Sequence, residues 1–238
     1  MAGHSKWAQI KHKKAVLDQK RSQLFGKLAN EITVAARQGA DPENNFRLKA
    51  AIEKAKSFGL PQENIERAIK RALGKSETDT LEEVFYEIYG PEGVAILVKV
   101  VTDNKNRTVS EIKGILNKYG GKLAESGSVK WLFQEQGILR FDKEFFTDKI
   151  EEKLIELGVL DIKTNDKIEV YFIVDDFNKI KNFLEENKEI KDKSEIEISF
   201  VPKEVVYLSE GGKEKLKTLL EALDEQNDVE EIYFNTLL

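Results

Sequence analysis

The first thirty residues carry the side chains in this chain that are best suited to binding chemistry. Seven lysine and arginine residues stand there against a single acid, Asp18. Phosphate binding needs cationic groups on long, flexible side chains, and an aromatic or imidazole ring among them can stack on a base or ribose. The candidate nucleic-acid contacts in this N-terminal segment are Lys6, Trp7, Lys11, His12, Lys13, Lys14, Lys20, Arg21 and Lys27.

The lysines and the tryptophan of this segment support different conclusions. Phosphate contact is the favoured role of the lysines, because little else in the segment offsets their charge. Trp7 has two open interpretations: it stacks on a base, or it packs locally and anchors the basic arm of residues 1–16.

A second group of basic residues falls on one face of a predicted helix. Residues three, four and eight positions apart share a face of an α-helix. The group comprises Arg67, Lys70, Arg71 and Lys75. Glu63 and Glu66 lie close by in sequence and offset part of this charge, so nucleic-acid contact and a solvated helix surface both stay open.

Arg107 belongs to a polar stretch, residues 102–108, that follows an apolar run and opens a predicted helix. Backbone amides and Arg107 at a helix N-terminus can hold a phosphate or a carbonyl group. The alternative is helix capping by Asn106 or by Thr108, which has Glu111 three residues later.

The residue types argue against catalysis. The chain has no cysteine, and its two histidines, His4 and His12, have no acidic partners at metal-ligand spacing. Gly74-Lys75-Ser76 imitates the end of a phosphate-binding loop, but Ile69 stands where the first glycine is required. We therefore expect a non-enzymatic protein with no cofactor, no metal and no small-molecule substrate.

The charge is distributed unevenly along the chain. Residues 1–75 carry 11 Lys and 5 Arg against 7 acids, a net charge of +9, whereas the remainder carries 22 basic and 36 acidic residues, a net charge of −14. Such asymmetry indicates an anionic partner for the basic part. Since the sequence shows neither an apolar membrane span nor a signal peptide, a cytoplasmic location with no membrane partner is expected.

Hydrophobic periodicity predicts three helices in the basic part, which end at Gly39, Gly59 and Gly74. Their apolar positions are Leu17, Leu24, Phe25, Leu28, Ile32, Leu48, Ala51, Ile52, Ala55, Ile65, Ala68, Ile69 and Ala72. Pro61 suits the first position of the third helix. The basic arm lacks such a stripe.

From about residue 80 the pattern becomes that of strands and helices in alternation. The predicted elements outside residues 137–201 are strands over 93–101, 129–133, 205–208 and 229–234, with helices over 109–119 and 213–223. Together these outer segments predict a βαβ…βαβ order. Residues 89–93 and 125–128 are predicted turns.

Residues 137–201 contain a complete βαββαβ pattern, which is typical of a ferredoxin-like unit. The predicted fold is therefore α+β with three domains. They are an all-helical basic domain over 1–78, a discontinuous α/β domain over 79–136 and 202–238, and an inserted ferredoxin-like domain over 137–201.

Several of these segments resemble the YebC family, which includes mitochondrial translational activators of a cytochrome oxidase subunit. The matching strings are MAGHSKWAQIKHKK (1–14), NIERAIKR (64–71), YGPEGVA (89–95), TDNKNRTV (102–109) and SGSV (126–129). The sequence departs from the family pattern at Phe46, where proline is usual, and at Ile88, where glycine is usual. The inserted region 137–201 matches least.

The resemblance implies a three-domain cytoplasmic regulator of gene expression. Bacterial members usually carry the label of probable DNA-binding transcriptional regulators, whereas others resemble translation factors that act at the ribosome and relieve stalled peptide synthesis. DNA, ribosomal RNA and transfer RNA, and the ribosome itself, thus stay open as partners. A protein-interaction scaffold is the third possibility.

Overall fold

A computed structural model describes residues 18–74 and 81–238. These residues form helices and two four-stranded antiparallel sheets, so the predicted α+β class is confirmed. They divide into two compact units. The first contains the described residues up to Gln134 together with Val201–Leu238, and the second is Glu135–Phe200. The finer division into three domains stays a prediction.

The helices and strands follow one another along both units. In chain order they are α1 (Asp18–Arg37), α2 (Phe46–Ser57), α3 (Gln62–Leu73), β1 (Glu82–Tyr89), β2 (Ala95–Thr102), α4 (Lys105–Tyr119), β3 (Lys122–Leu123), β4 (Phe133–Phe141), α5 (Asp148–Glu156), β5 (Asp161–Thr164), β6 (Ile168–Phe172), α6 (Phe177–Glu186), α7 (Lys188–Lys191), β7 (Glu195–Pro202), α8 (Glu210–Asp224) and β8 (Val229–Phe234).

The first three helices pack around the apolar stripe that periodicity predicts. Leu28, Ile32, Leu48 and Ile65 are buried in one cluster with the alanines between them. Asn45 fixes the turn before α2, since its side chain accepts the Leu48 N–H at 3.1 Å. Its amide group also donates to the carbonyl oxygens of residues 35 and 39. A side chain that bonds in both directions at a helix start leaves few main-chain groups unsatisfied there.

The first unit also holds a sheet in the strand order β3-β1-β2-β8. Apolar residues on one face of β2, among them Ile96 and Val98, pack against α4 and α8 in a core that is fully buried. These contacts bring the helix before β8 next to the helix after β2. The sheet is therefore completed by two chain segments that the second unit separates in sequence.

Three predictions about this sheet were wrong. The order is not βαβ…βαβ, because β1 forms a hairpin with β2 around residues 90–94. Val129–Phe133 is not a strand: residues 130–132 form a short 3-10 helix, and β4 begins only at Phe133. Residues 205–208 make a single bridge, from Val206 to Thr236, instead of a strand.

These differences have identifiable causes. Val84, Tyr86 and Ile88 alternate along β1 and face the core, which is the pattern of a strand with one solvated face. The N–H groups of Val129 and Lys130 both donate to the Glu87 carboxylate, so they are not available to a neighbouring strand.

The second unit has the element order strand, helix, strand, strand, two helices, strand, and its sheet has the order β5-β6-β4-β7. β4 pairs antiparallel with β6, so that Leu139 faces Val170 across the pair. Gly137 is required in β4, because any side chain there would overlap the ring of Phe172.

Candidate nucleic-acid interface

α3 presents basic side chains on the face opposite its core residues. Ile65 and Ala68 are buried, whereas Arg67, Lys70 and Arg71 are exposed. The burial of the apolar residues orients this helix, and its 3.6-residue period then turns the three cations outward. The structure therefore brings Arg67, Lys70 and Arg71 together on one surface, which we call the α3 basic face. Lys75, the fourth residue of the predicted group, lies outside the described residues.

Acidic residues lie on the same helix. Glu63 and Glu66 are both exposed, and Glu66 accepts a hydrogen bond of 3.2 Å from Gln62. The α3 basic face thus has three cations against two anions within twelve residues. This balance leaves a modest positive potential on the helix.

Most candidates of the N-terminal segment lie outside the described residues. These are Lys6, Trp7, Lys11, His12, Lys13 and Lys14, and their proposed contacts stay predictions. Lys20 and Arg21 belong to α1, but their side chains also fall outside the description.

Lys27 is directed toward the sheet part of the first unit. Its ammonium group donates to the main-chain oxygen of Asp224 at 2.9 Å, 197 residues further along the chain. Asp224 ends α8, and a helix C-terminus attracts cations because its last carbonyl groups are unpaired. Arg37 similarly donates to the carbonyl of Leu81, just before β1. Sequence spacing gives no sign of either contact.

A half-buried ionic cluster also joins the helices to the sheet. Lys54 on α2 pairs with Glu31 at 3.0 Å and with Glu231 on β8. Lys99 on β2 lies next to them and pairs with Glu83 at 3.4 Å. Burial alone would lower the pKa of Lys54, but the two glutamates raise it well above its ordinary value. Lys54 therefore joins α1 and α2 to β8.

Arg107 is engaged by carboxylates of its own chain. Its guanidinium donates to Asp103 at 3.1 Å and to Asp228 at 3.0 Å. The cap of α4 is Asn104, whose side chain accepts the Arg107 N–H at 3.0 Å, and not the predicted Asn106 or Thr108. An anionic ligand at Arg107 would have to compete with two anions already in place.

Asp228 is the centre of this network. Thr108 donates to it at 2.6 Å, and Gln226 and Thr102 donate at 3.3 Å. Burial opposes ionisation of Asp228, but hydrogen bonds from Thr108, Arg107 and Gln226 lower its pKa below the ordinary value. The network therefore fixes the start of α4 against the start of β8.

We expect Asp228→Asn to destabilise the first unit by about 1–3 kcal/mol, because an amide replaces an ionised acceptor of several donors. A lowered pKa means that this stabilisation is complete above the ordinary aspartate pKa and is lost as the pH falls through the folded value. Urea unfolding at neutral pH and in acid should therefore show a difference from wild type that shrinks in acid. Asp103→Asn is the matched control, since Asp103 is exposed and meets only one of these donors. A constant difference across pH would contradict this role for Asp228.

Comparison with known proteins assigns the class of this protein. The model described as the TACO1/YebC protein N-terminal domain matches residues 5–75, and the model described as the TACO1/YebC second and third domain matches residues 81–236. Together they cover nearly all of the chain. The chain belongs to the TACO1/YebC family, as the sequence motifs predicted.

Individual relatives match over their whole length. A probable transcriptional regulatory protein of Carboxydothermus hydrogenoformans is 47% identical, with 99% of this chain and 98% of the relative covered. One of Thermotoga maritima with the same description is 44% identical over 99% of this chain and 93% of its own. The crystal structure of the conserved hypothetical protein Aq1575 from Aquifex aeolicus superposes with a TM-score of 0.82 at 40% identity, covering 98% and 96% of the two chains.

Among residues 18–74 and 81–238, no helix is both long and apolar enough to cross a membrane. The same ranges contain no group of three or more His, Cys, Asp or Glu side chains arranged to hold a metal ion.

Proposed function

We propose that the protein is a non-enzymatic, nucleic-acid-binding regulator of gene expression that binds through its basic N-terminal part. The observation that carries this proposal is the α3 basic face, where Arg67, Lys70 and Arg71 project away from a buried core. Lysine and arginine side chains attract phosphates, and the helix fixes the main chain that carries them. The lysines of the basic arm would contribute further phosphate contacts.

The rest of the chain contributes less to this attraction. Residues 76–238 have a net charge of −14, and Arg107 already pairs with two carboxylates. Phosphates would therefore be repelled from most of that region, so that nucleic acid approaches the helical segment. Together with the basic arm, this segment is the predicted first domain.

Backbone recognition fits the basic arm better than sequence-specific recognition in the major groove. The arm carries lysines and no arginine; lysine acts on phosphate as a mobile point charge, whereas specificity at base edges depends on bidentate groups. On the α3 basic face, Arg67 and Arg71 are the side chains able to form such bidentate contacts. A DNA-binding transcriptional regulator and an RNA-binding translation factor could both bind nucleic acid in this way.

Crosslinking in cells, followed by sequencing of the bound nucleic acid, tests the proposal. We expect the number of sequencing reads recovered to be lower for the Arg67→Glu, Lys70→Glu, Arg71→Glu variant than for wild type. Promoter DNA would identify a transcriptional regulator, and ribosomal or transfer RNA a translation factor at the ribosome. If neither is recovered above a mock purification, the proposal fails and a protein-interaction scaffold takes its place.

A further inference from the structure

Two aromatic rings of the first unit lie exposed near the end of the first sheet. Trp131 lies in the short 3-10 helix before β4 and is 62% exposed, and Tyr89 ends β1 and is 39% exposed. Burying rings of this size would contribute a large hydrophobic free energy. Their exposure therefore calls for a role other than core packing.

Both rings donate a hydrogen bond to the same main-chain oxygen. The Trp131 indole N–H donates to the carbonyl oxygen of Ser128 at 3.0 Å, and the Tyr89 hydroxyl donates to the same oxygen at 3.1 Å. The polar atoms of the two rings thus meet at one acceptor, and both are satisfied. We call Tyr89 and Trp131 the aromatic platform.

The loop that carries Ser128 is itself rigidly held. Glu87 is buried, and its carboxylate accepts the N–H groups of Gly127 and Val129, both at 2.5 Å, and of Lys130 at 2.7 Å. Burial opposes ionisation of Glu87, but these three hydrogen bonds lower its pKa below the ordinary value. The platform is therefore preorganised, which reduces the entropic cost of placing a ligand on it.

Lysines stand beside the platform. Lys130 is exposed, and its ammonium group lies 4.7 Å from the centre of the Phe85 ring. Lys122 is opposite Tyr89 in the β1–β3 pair, and the Lys203 N–H bonds to the carbonyl of the residue after Trp131. Two exposed acids lie near these lysines in sequence: Glu125 in the loop that carries Lys130, and Glu204 next to Lys203. Local charge is close to balance, so stacking has to supply most of the affinity for a ligand here.

We propose that the aromatic platform stacks unpaired nucleobases of single-stranded nucleic acid. The proposal rests on the proposed function and adds a second contact to it, apart from the basic N-terminal part. Every base offers a flat face, and an exposed aromatic ring with a satisfied edge presents its own flat face to receive it. The lysines would meet the adjoining phosphates.

The surroundings of the platform favour a base over a protein partner. Val129 is buried, and the other residues before Trp131 in the loop are small or charged: Ser126, Gly127, Ser128 and Lys130. A protein interface needs a contiguous apolar area around its aromatic anchors, whereas a stacked base needs only the ring face. Small neighbours also leave the ring faces open.

Anisotropy titrations of the full chain with four labelled probes test the platform. The probes are oligo(U), oligo(dT), an abasic strand of the same length and a duplex, each of roughly 12 nucleotides, within the site sizes of single-strand binders. We expect Trp131→Leu to weaken oligo(U) or oligo(dT) binding by about 5- to 150-fold, with the salt dependence unchanged. Abasic and duplex binding should not change. If the affinity falls for oligo(U) alone, the platform binds bases of RNA. If it falls for both oligo(U) and oligo(dT), the platform binds bases of RNA and of DNA.

Controls separate this proposal from other effects. Trp131→Phe keeps a ring and should retain most of the affinity, and Ile155→Ala, at a residue also 62% exposed, should have no effect. If Trp131→Leu lowers thermal stability, fluorescence decides, because Trp131 is the single tryptophan of the Trp7→Phe chain. Its emission should be quenched by oligo(U) or oligo(dT) and not by the abasic strand.

Two results would overturn the platform: unchanged affinity of Trp131→Leu for every probe, or an equal loss on abasic and base-containing strands. A wild-type chain that binds none of the four probes would instead contradict the proposed function. The two failures are thus distinguishable.

Discussion

Replacing Lys11, Lys13, Lys14 and Lys20 together with alanine is expected to reduce the slope of log K against log salt by about 3–4. Each lysine that neutralises a phosphate releases condensed counterions and contributes roughly 0.7–0.9 to this slope. The loss should be similar on every nucleic acid tested, because phosphates are alike in all of them. Binding measured by anisotropy from low to moderate salt gives the slope directly.

The α3 basic face offers a second, structurally defined set for the same measurement. Changing Arg67, Lys70 and Arg71 to alanine removes three exposed cations, and the slope should fall by about 2–3 if each meets a phosphate. Because Glu63 and Glu66 remain on the helix, the residual potential there would become negative. The affinity at low salt should then fall as well.

A matched control exists in the second unit. Lys143, Lys149, Lys188 and Lys193 are exposed there, and their replacement by alanine changes the net charge by the same amount as the quadruple change in the N-terminal segment. The control slope should equal that of wild type. If the control and the N-terminal variant lose the same slope, the effect comes from overall charge and the N-terminal segment has no special role.

The helical core could be predicted from the sequence, whereas the sheet was predicted only in part. Leu28 and Ile32 lie one helical turn apart on α1, and Leu48 and Ile65 belong to similar apolar stripes on α2 and α3, so local spacing marks all four as core positions. By contrast, β1 carries Glu83 and Glu87 between its core-facing residues and becomes a strand by pairing with β2. The helices can be predicted from the local spacing of apolar residues, whereas a strand depends on the strand with which it pairs.

Side-chain roles were hardest to predict where the partner lies far along the chain. Lys27 lies in a lysine-rich segment and was predicted to contact phosphate, but its ammonium group donates to the main-chain oxygen of Asp224. Glu87 lies in a strand that looks half-exposed, and its three donors stand 40 to 43 residues later. Sequence reasoning also passed over Trp131, because exposure and the bond to Ser128 appear only once the loop is folded.

Replacing Glu87 with alanine is expected to destabilise the first unit by about 2–4 kcal/mol. The N–H of Val129 is buried and would lose its only acceptor in this loop, while the N–H groups of Gly127 and Lys130 would be partly rescued by water. An unsatisfied buried donor costs about 1–3 kcal/mol, and hydrogen bonds to a charged acceptor are stronger than neutral ones. Differential scanning calorimetry of the full chain should show the loss.

The pH dependence distinguishes this effect from a packing defect. Because the folded pKa of Glu87 is lowered, its stabilisation is complete above the ordinary glutamate pKa and declines as the pH falls through the folded value. The difference in stability between wild type and Glu87→Ala should therefore shrink in acid. Glu125→Gln, at an exposed position of the same loop, should change stability by less than about 0.5 kcal/mol.

Glu87→Gln probes the geometry of the same site. The amide keeps one oxygen acceptor but turns an NH₂ group toward one of the three N–H donors, so it should recover only part of the stability lost in Glu87→Ala. It should also release the edge of the platform, since Ser128 lies between two of the tethered residues. Wild-type stability in Glu87→Gln would show that the three N–H groups find other acceptors and that the carboxylate does not hold the loop.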